Sequence, residues 1–288
     1  FFGSAMRVLV VNDDGAPGPS SPYVLPFVKC LEARGWEAYV CLPAGHMSWM
    51  SKAMSPSQRV TVRKQDFGTK NEWWLCENGT PAGAANIAVH YRSDVKYDFV
   101  ISGPNFGRNT EAAFSLCSGT IAAAMETAMA GYQSIAVSFD NGTSDFEGGV
   151  ATEKQVAQGC AATLDVIEKL LGDWPAGVEL FNINVPLLVD QRLPVVQTKI
   201  GCSRKTGALY RPVDPAFGEA AKGTTVAYEF HCSGAQMRGT EPPLKKQAVQ
   251  SDAEAVNAGC ISVTPLRAVF EVPDVVVAPI QGLEKAAQ

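Results

Sequence analysis

Asp13 and Asp14 stand side by side between Asn12 and Gly15, at the end of the apolar run Val8-Leu9-Val10-Val11. Four apolar residues in a row, three of them β-branched, read as a strand buried on both faces, as in the middle of a parallel sheet. Such a strand delivers its carboxyl end to the crevice where open α/β sheets bind ligands. Two carboxylates held there repel each other unless a cation or a shared proton compensates them. Magnesium or manganese is suited to that task. Asn12-Asp13-Asp14-Gly15 is also good turn chemistry, with Asn and Asp bonding nearby backbone and Gly supplying positive φ, and spacing alone does not choose between the two readings.

The elements that must carry these residues follow from periodicity. Helical spacing of Val24, Phe27, Val28 and Leu31 predicts a helix over Tyr23 to Arg34, closed by Gly35, and a strand follows over Glu37 to Leu42. Right-handed crossover makes the two strands parallel, so the loop after Pro43, with His46, Ser48, Ser51 and Lys52, opens on the same sheet edge as the aspartates. Val60 to Arg63 and Glu72 to Cys76 read as strands, and Thr80 caps a helix with Pro81 in its first turn that runs to about Tyr91. Phe99 to Ile101 is a short buried strand emptying into a loop, Ser102 to Asn109, rich in glycine and amides. An alanine-rich helix over Ile121 to Ala130, strands over Ser134 to Phe139 and Leu180 to Val185, and an amphipathic helix over Gln155 to Leu171 come next. From Pro194 to Ala248 the interleaving of Gly, Lys, Pro and Thr with short β-prone stretches predicts an arm outside the main sheet, available for subunit contacts, before strand-like composition returns at Ile261 to Pro265 and Val275 to Pro279. The expected fold class is α/β: a Rossmann-like, mostly parallel sheet flanked by helices, with a β-rich arm.

Three strand-end loops thus converge on one edge: Asn12 to Gly15, His46 to Lys52, and Ser102 to Asn109. Two carboxylates, a serine hydroxyl and an asparagine carbonyl make an all-oxygen set suited to Mg²⁺, Mn²⁺ or Ca²⁺ and poor for zinc. With two formal negative charges supplied, the ion keeps positive character and open positions for water and a phosphate ester. Ser118-Gly119-Thr120 at a helix start offers N–H groups and hydroxyls to an anion, although a Ser or Thr there is more often a simple cap. Asn109 and Thr110 also fit a turn. Lys52 and Arg108 are cations in the right loops, where lone surface cations are commonly just solvated. His90 lies among Ile87, Ala88 and Val89 and is read as structural, His46 is a minor candidate for positioning a water, and Cys117, without a nearby histidine, is read as packing.

The chain has 288 residues with 24 basic and 29 acidic side chains, a formal net charge of −5 and no long block of either sign. This speaks against a partner in duplex nucleic acid or at a membrane surface while allowing a local positive pocket. Eight cysteines are scattered without a Cys-x-x-Cys pair, so reduced thiols are expected rather than disulfides or zinc. No apolar stretch is long enough to span a membrane, and a cytoplasmic location is expected. Phe1 to Met6 has the composition of a tag remnant, which leaves a processed upstream segment open. One domain over 7–288 is expected, with a core of about 7–193 and 249–280 and an arm of about 194–248.

Taken in order, Val-Asn-Asp-Asp-Gly at 11–15, Pro43 followed by Ser48, Gly-Thr-Pro at 79–81, Ser-Gly-Pro-Asn-Phe-Gly-Arg-Asn at 102–109, Ser-Gly-Thr at 118–120 with Ala-Ala-Ala-Met-Glu at 122–126, Asn-Ile-Asn-Val-Pro at 182–186 and Ile-Ser-Val-Thr-Pro-Leu at 261–266 resemble the survival protein SurE family of metal-dependent phosphatases. Ser48-Trp49, Lys52-Ala53 and the Gly-Pro-Asn-Phe-Gly-Arg-Asn form look most like its fungal branch. The resemblance implies hydrolysis of nucleoside 5′- and 3′-monophosphates at a divalent ion, and an arm that builds a homodimer or homotetramer. Carried over by position, it implies Asp13, Asp14, Ser48 and Asn105 as metal ligands and Asn109, Ser118, Gly119 and Thr120 around the phosphate. Asp13, Asp14, Asn109 and Ser118 are then the expected catalytic group, and Lys52, a cation in the Ser48 loop, is an expected substrate contact. The chain departs from many relatives at Met47, where a basic residue is common, and at Ala82-Gly83-Ala84, where a polar residue and a cysteine are usual. A non-catalytic nucleotide-binding module on the same fold is the alternative, while a nucleotide-dependent transferase would need a dinucleotide or Walker fingerprint that the chain lacks.

Overall fold

A computed structural model describes residues 5–92, 95–142, 151–188, 192–202, 209–213, 227–230 and 249–269. Its centre is a nine-stranded sheet in the order β3-β4-β2-β1-β5-β6-β7-β11-β8. The strands are β1 (Arg7–Val11), β2 (Glu37–Pro43), β3 (Thr61–Gln65), β4 (Trp73–Glu77), β5 (Phe99–Phe106), β6 (Ser134–Asp140), β7 (Leu180–Pro186), β8 (Val195–Gln197) and β11 (Ile261–Leu266). From β4 to β7 all neighbours are parallel. Antiparallel pairing enters only where β3 meets β4 and β11 meets β7. The helices are α1 (Val24–Ala33), α2 (Pro81–Tyr91), α3 (Glu111–Cys117), α4 (Gly119–Met129), α5 (Glu153–Gly172) and α6 (Asp252–Asn257).

The apolar run of β1 divides by strand period between two cores. Val8 and Val10 join Phe27, Leu31, Leu164 and Ile167 on the side of α1 and α5, while Leu9 and Val11 join Ala84, Ala85, Ala88 and Ala123 on the side of α2 and α4. Alanines on that second side let the two helices lie close to the strands and to each other, which brings the start of α4 down to the β1 edge. Thr80 accepts a hydrogen bond from the Gly83 N–H at 3.0 Å and Pro81 fills the first turn, so α2 starts as its residues require. Gly35, at φ +87°, ends α1.

The structure departs from the sequence expectations in three places. Residues 102–106, read as loop, continue β5 and pair with β6. Gly103 stands at φ +124° where a Cβ would lie 2.2 Å from the Val137 carbonyl oxygen, so glycine serves close strand approach rather than a turn. A short helix, α3, occupies 111–117. Finally β8, at the beginning of the expected arm, joins the main sheet beside β11. Further along, β9 (Tyr210–Pro212) and β10 (Tyr228–Phe230) form a separate antiparallel ribbon. Most of 203–248 lies outside the described residues, as does the strand expected at Val275 to Pro279. No described helix is long and apolar enough to cross a membrane.

Candidate active site

At the end of β1 the turn and the carboxylates prove to be separate jobs. Asn12 makes the turn: its Oδ1 accepts from the Gly15 N–H at 3.0 Å and its Nδ2 donates to the Gly15 carbonyl at 3.1 Å and to Ser21 Oγ at 3.2 Å. Asp13 and Asp14 are left for other work. Both are 2 % exposed. Thr120 Oγ1 donates to Asp13 Oδ1 at 2.6 Å, and the Phe106 N–H donates to Asp14 Oδ2 at 2.7 Å. Both carboxylates are therefore oriented by the fold, and Asp13 draws in addition on the backbone N–H groups of Thr120 and of its own residue.

Burial lifts the Asp13 carboxyl above its ordinary range, against the opposing hydrogen bonds from Thr120. Asp14 is lifted well above it, first by burial and then by the charge of Asp13. Among the described residues no lysine or arginine pairs with either, and the nearest basic nitrogen is His46 Nδ1, 4.0 Å from Asp14 Oδ1. Two buried like charges without a cation from the protein are the arrangement that a divalent ion relieves.

The other loops complete the surroundings. The Met47 N–H donates to the Asp13 carbonyl at 2.7 Å, which ties the loop carrying Ser48 to the aspartates. At Gly15 a Cβ would lie 2.6 Å from the Gly45 carbonyl carbon, so the two loops touch. On the far side, the Ser51 N–H bonds the Cys117 carbonyl at 3.0 Å and Ser51 Oγ the Leu116 carbonyl at 2.8 Å, fixing the same loop to the end of α3. Asn105, 8 % exposed, gives its Nδ2 to the Gly107 carbonyl, which leaves Oδ1 as the atom an ion could use. Among the described residues no trio of His, Cys, Asp or Glu clusters. The donor set is thus two carboxylates with neutral oxygens, which fits a hard cation such as Mg²⁺ or Mn²⁺ and not structural zinc.

The start of α4 lies directly on Asp13. A Cβ on Gly119 would stand 2.7 Å from Asp13 Cβ, 2.9 Å from its Oδ2 and 2.9 Å from Pro81 Cγ. Ser118 caps α4, its Oγ accepting from the Ile121 N–H at 3.1 Å. Thr120 is committed to Asp13 rather than turned to open space. Asn109 is brought to the site by a clamp: its N–H donates to Asn184 Oδ1 at 2.7 Å, its carbonyl accepts from Asn182 Nδ2 at 2.8 Å and Asn184 Nδ2 at 3.2 Å, and its own Nδ2 donates to Ser138 Oγ at 3.0 Å.

The loop cations are engaged elsewhere. Lys52 pairs with Glu126, which also accepts from Asn86 Nδ2 at 2.7 Å. Burial works against ionisation of Glu126, but these two partners outweigh it and hold the carboxyl below its ordinary range. Arg108 donates to Asn257 Oδ1 at 2.6 Å and lies 3.8 Å from Asp140. His90 is exposed at the end of α2 and Cys117 is half-buried beside Ser118.

Sequence reasoning did not assign Asn182, Asn184, Ser138 or Glu126 to the site. The signal for the first two was present, since Asn-Ile-Asn inside an apolar strand puts two amides on one face at period two, where they require partners.

The chain is similar to known proteins. The profile described as "Survival protein SurE" matches residues 8–207. The "5'-nucleotidase SurE" of Methanocella arvoryzae is 31% identical over 215 residues, covering 73% of this chain and 77% of that protein. "Probable tubulin--tyrosine ligase PBY1" of Saccharomyces cerevisiae is 29% identical over 316 residues, covering 92% of this chain, and the chain spans 41% of that longer protein. Among solved structures, the SurE protein from Aquifex aeolicus superposes with a TM-score of 0.67 at 22% identity over 92% of this chain and 94% of that one, a likeness of fold.

Proposed function

This chain belongs to the survival protein SurE family, and from that premise we propose that it is a divalent-metal-dependent phosphomonoesterase acting on nucleoside monophosphates and related phosphate esters. The observation that carries the reading is the pair of adjacent buried aspartates, oriented by hydrogen bonds from Thr120 Oγ1 and the Phe106 N–H, with no lysine or arginine paired to either among the described residues and His46 Nδ1 4.0 Å from Asp14 Oδ1. Asp13, Asp14, Asn105 and Ser48 would hold the ion, Mg²⁺ or Mn²⁺. When bound, such an ion polarises a phosphoryl oxygen and lowers the pKa of a coordinated water.

The remaining work falls to the chain itself. Thr120 Oγ1 and the Phe106 N–H orient the two carboxylates, so neither has to rotate to meet an ion. The Asn182 and Asn184 amides fix the Asn109 backbone, which sets the floor on which a phosphate would rest. At the start of α4 the Ile121 N–H is capped by Ser118 Oγ and the Thr120 N–H turns to Asp13, so this helix end orients the carboxylate while its dipole favours charge that develops on a phosphate beside Gly119. The nucleotidase activity named for the Methanocella relative supports the substrate class.

The test is phosphate release from AMP and p-nitrophenyl phosphate with Mn²⁺, with Mg²⁺ and with chelator, alongside thermal melting. Metal-dependent release is expected, and Mn²⁺ at a hundred times its Kd should add about 2.7 kcal/mol of stability. Asp13→Asn and Asp14→Asn should lose both effects. Release from no ester, or release unchanged in either variant, refutes the assignment.

A further inference from the structure

Four aromatic rings run outward from the rim of this site. Trp49, the residue after Ser48, has its ring centroid 5.7 Å from that of Phe114 on α3 and 5.3 Å from that of Phe230 on β10. Phe230 in turn lies 5.6 Å from Tyr210, its cross-strand partner on β9. The strip therefore joins the proposed metal loop, the short helix leading to Ser118, and the ribbon. None of the four belongs to the apolar clusters that hold the sheet to its helices. Tyr210 is 60% exposed and Phe230 46%, and neighbouring Leu116 is 61% exposed.

The strip is also held in place. Trp49 sits at φ +66° and Ser51 at φ +50°, left-handed conformations that non-glycine residues adopt only where the surroundings impose them. The two hydrogen bonds of Ser51 to α3 supply that constraint. A large apolar surface at the mouth of a polar site, fixed by backbone strain and outside the cores, is a platform for a flat ring. Trp49 lies two residues after Met47, whose N–H bonds the Asp13 carbonyl, and packs on the helix that leads to Ser118, so the strip borders the loops that would hold the phosphate of an ester.

We propose that Trp49, Phe114 and Phe230 form a subsite that stacks on the aromatic part of the phosphate ester, a nucleobase or an aryl ring. This rests on the phosphomonoesterase reading above and sharpens its substrate class: flat aromatic leaving groups are favoured over aliphatic ones.

The experiment compares AMP, p-nitrophenyl phosphate and glycerol phosphate in the wild-type chain, Trp49→Ala, Trp49→Phe and Phe230→Ala, with adenosine binding to each followed by calorimetry. The ratio of kcat/KM for AMP to that for glycerol phosphate should fall roughly ten-fold in Trp49→Ala, carried by KM, which is the worth of about one stacked ring. Trp49→Phe should recover most of the ratio, and Phe230→Ala should lower it less. A fall for AMP alone identifies a nucleobase, and a fall for both aromatic esters identifies any ring. A ratio unchanged in Trp49→Ala overturns the proposal, as does a change confined to assembly in light scattering, which would make the strip a contact between copies. Should no ester be hydrolysed while Trp49→Ala still weakens adenosine binding, the catalytic reading falls and the subsite stands.

Discussion

Replacing Gly119 by alanine puts one methyl group where the structure has no room for it. The new Cβ would stand 2.7 Å from Asp13 Cβ, 2.9 Å from Asp13 Oδ2 and 2.9 Å from Pro81 Cγ, whereas carbon atoms in contact rest at about 3.5–4.0 Å. Relief requires the start of α4 and the β1 edge to separate by about 1 Å. None of the three obstacles is the far end of a flexible side chain, since Asp13 is anchored through Thr120 and Pro81 is a ring in the first turn of α2. Overpacking of this kind costs roughly 1–3 kcal/mol, and any helix-propensity gain from alanine returns at most about 1 kcal/mol. At about 2–4 °C for each kcal/mol, the overpacking alone lowers melting by roughly 2–12 °C, less whatever the propensity gain returns.

The larger effect is expected on turnover. A displacement of about 1 Å at a reacting centre costs on the order of 100-fold, and here it also pulls Thr120 Oγ1 away from the carboxylate it orients. The assay is metal-dependent phosphate release beside a thermal melt, with Gly172→Ala as the companion, since nothing lies within 4 Å of its added Cβ. Gly172→Ala should match the wild type in both. Wild-type turnover and melting in Gly119→Ala would refute the idea that close approach of α4 to Asp13 builds the site.

Two further outcomes follow from side chains described above. Asn184→Ala removes the acceptor for the Asn109 N–H and one donor to its carbonyl; leaving a buried N–H unpaired costs about 1–3 kcal/mol, so thermal melting should drop by several degrees and phosphate release should fall with it, and an unchanged melt would show that the clamp is dispensable. Outside the site, the half-buried Cys30 thiol is lowered to about 7 by its hydrogen bond to Cys160, against the effect of burial and with help from Arg34. Because the thiolate is the reactive form, alkylation of Cys30 by iodoacetamide, read by mass spectrometry, should rise as pH passes upward through about 7. Cys160→Ala should move that inflection up toward the ordinary thiol range, while Cys41 and Cys160, both buried and pushed up, stay unmodified in the folded chain.

What could be read from residues alone was what local pattern determines. Four apolar residues ending in two aspartates can be a buried parallel strand with its carboxyl end at a crevice, and β1 is that. The crossover rule then placed the Ser48 loop beside it, and the Met47 to Asp13 hydrogen bond joins the two. Where the reading departed from the structure, partners distant in sequence overrode local signals. Gly103 and Pro104 punctuate like a loop, yet β6 draws 102–106 into the sheet, with β1 pairing as far as Ser102. The seven residues of α3 and three of β8 are too few to show a period. Lys52 looked like a free cation because Glu126, its partner, lies on another element, and Asn184 acquires its meaning only when Asn109, from a different loop, is set against it.

The antiparallel strand inserted beside β7 also has a temporal meaning. Translation of the stretch between Pro186 and Ile261 takes on the order of 4–15 s at ordinary elongation rates. Throughout that interval β7, buried along its whole length in the finished fold, waits with one flank of its backbone unpaired. A nascent chain in that condition is open to adhesion with its neighbours on a polysome, so β11 is what closes the β7 flank, and growth conditions that stall synthesis before β11 emerges should drive this protein into inclusion bodies.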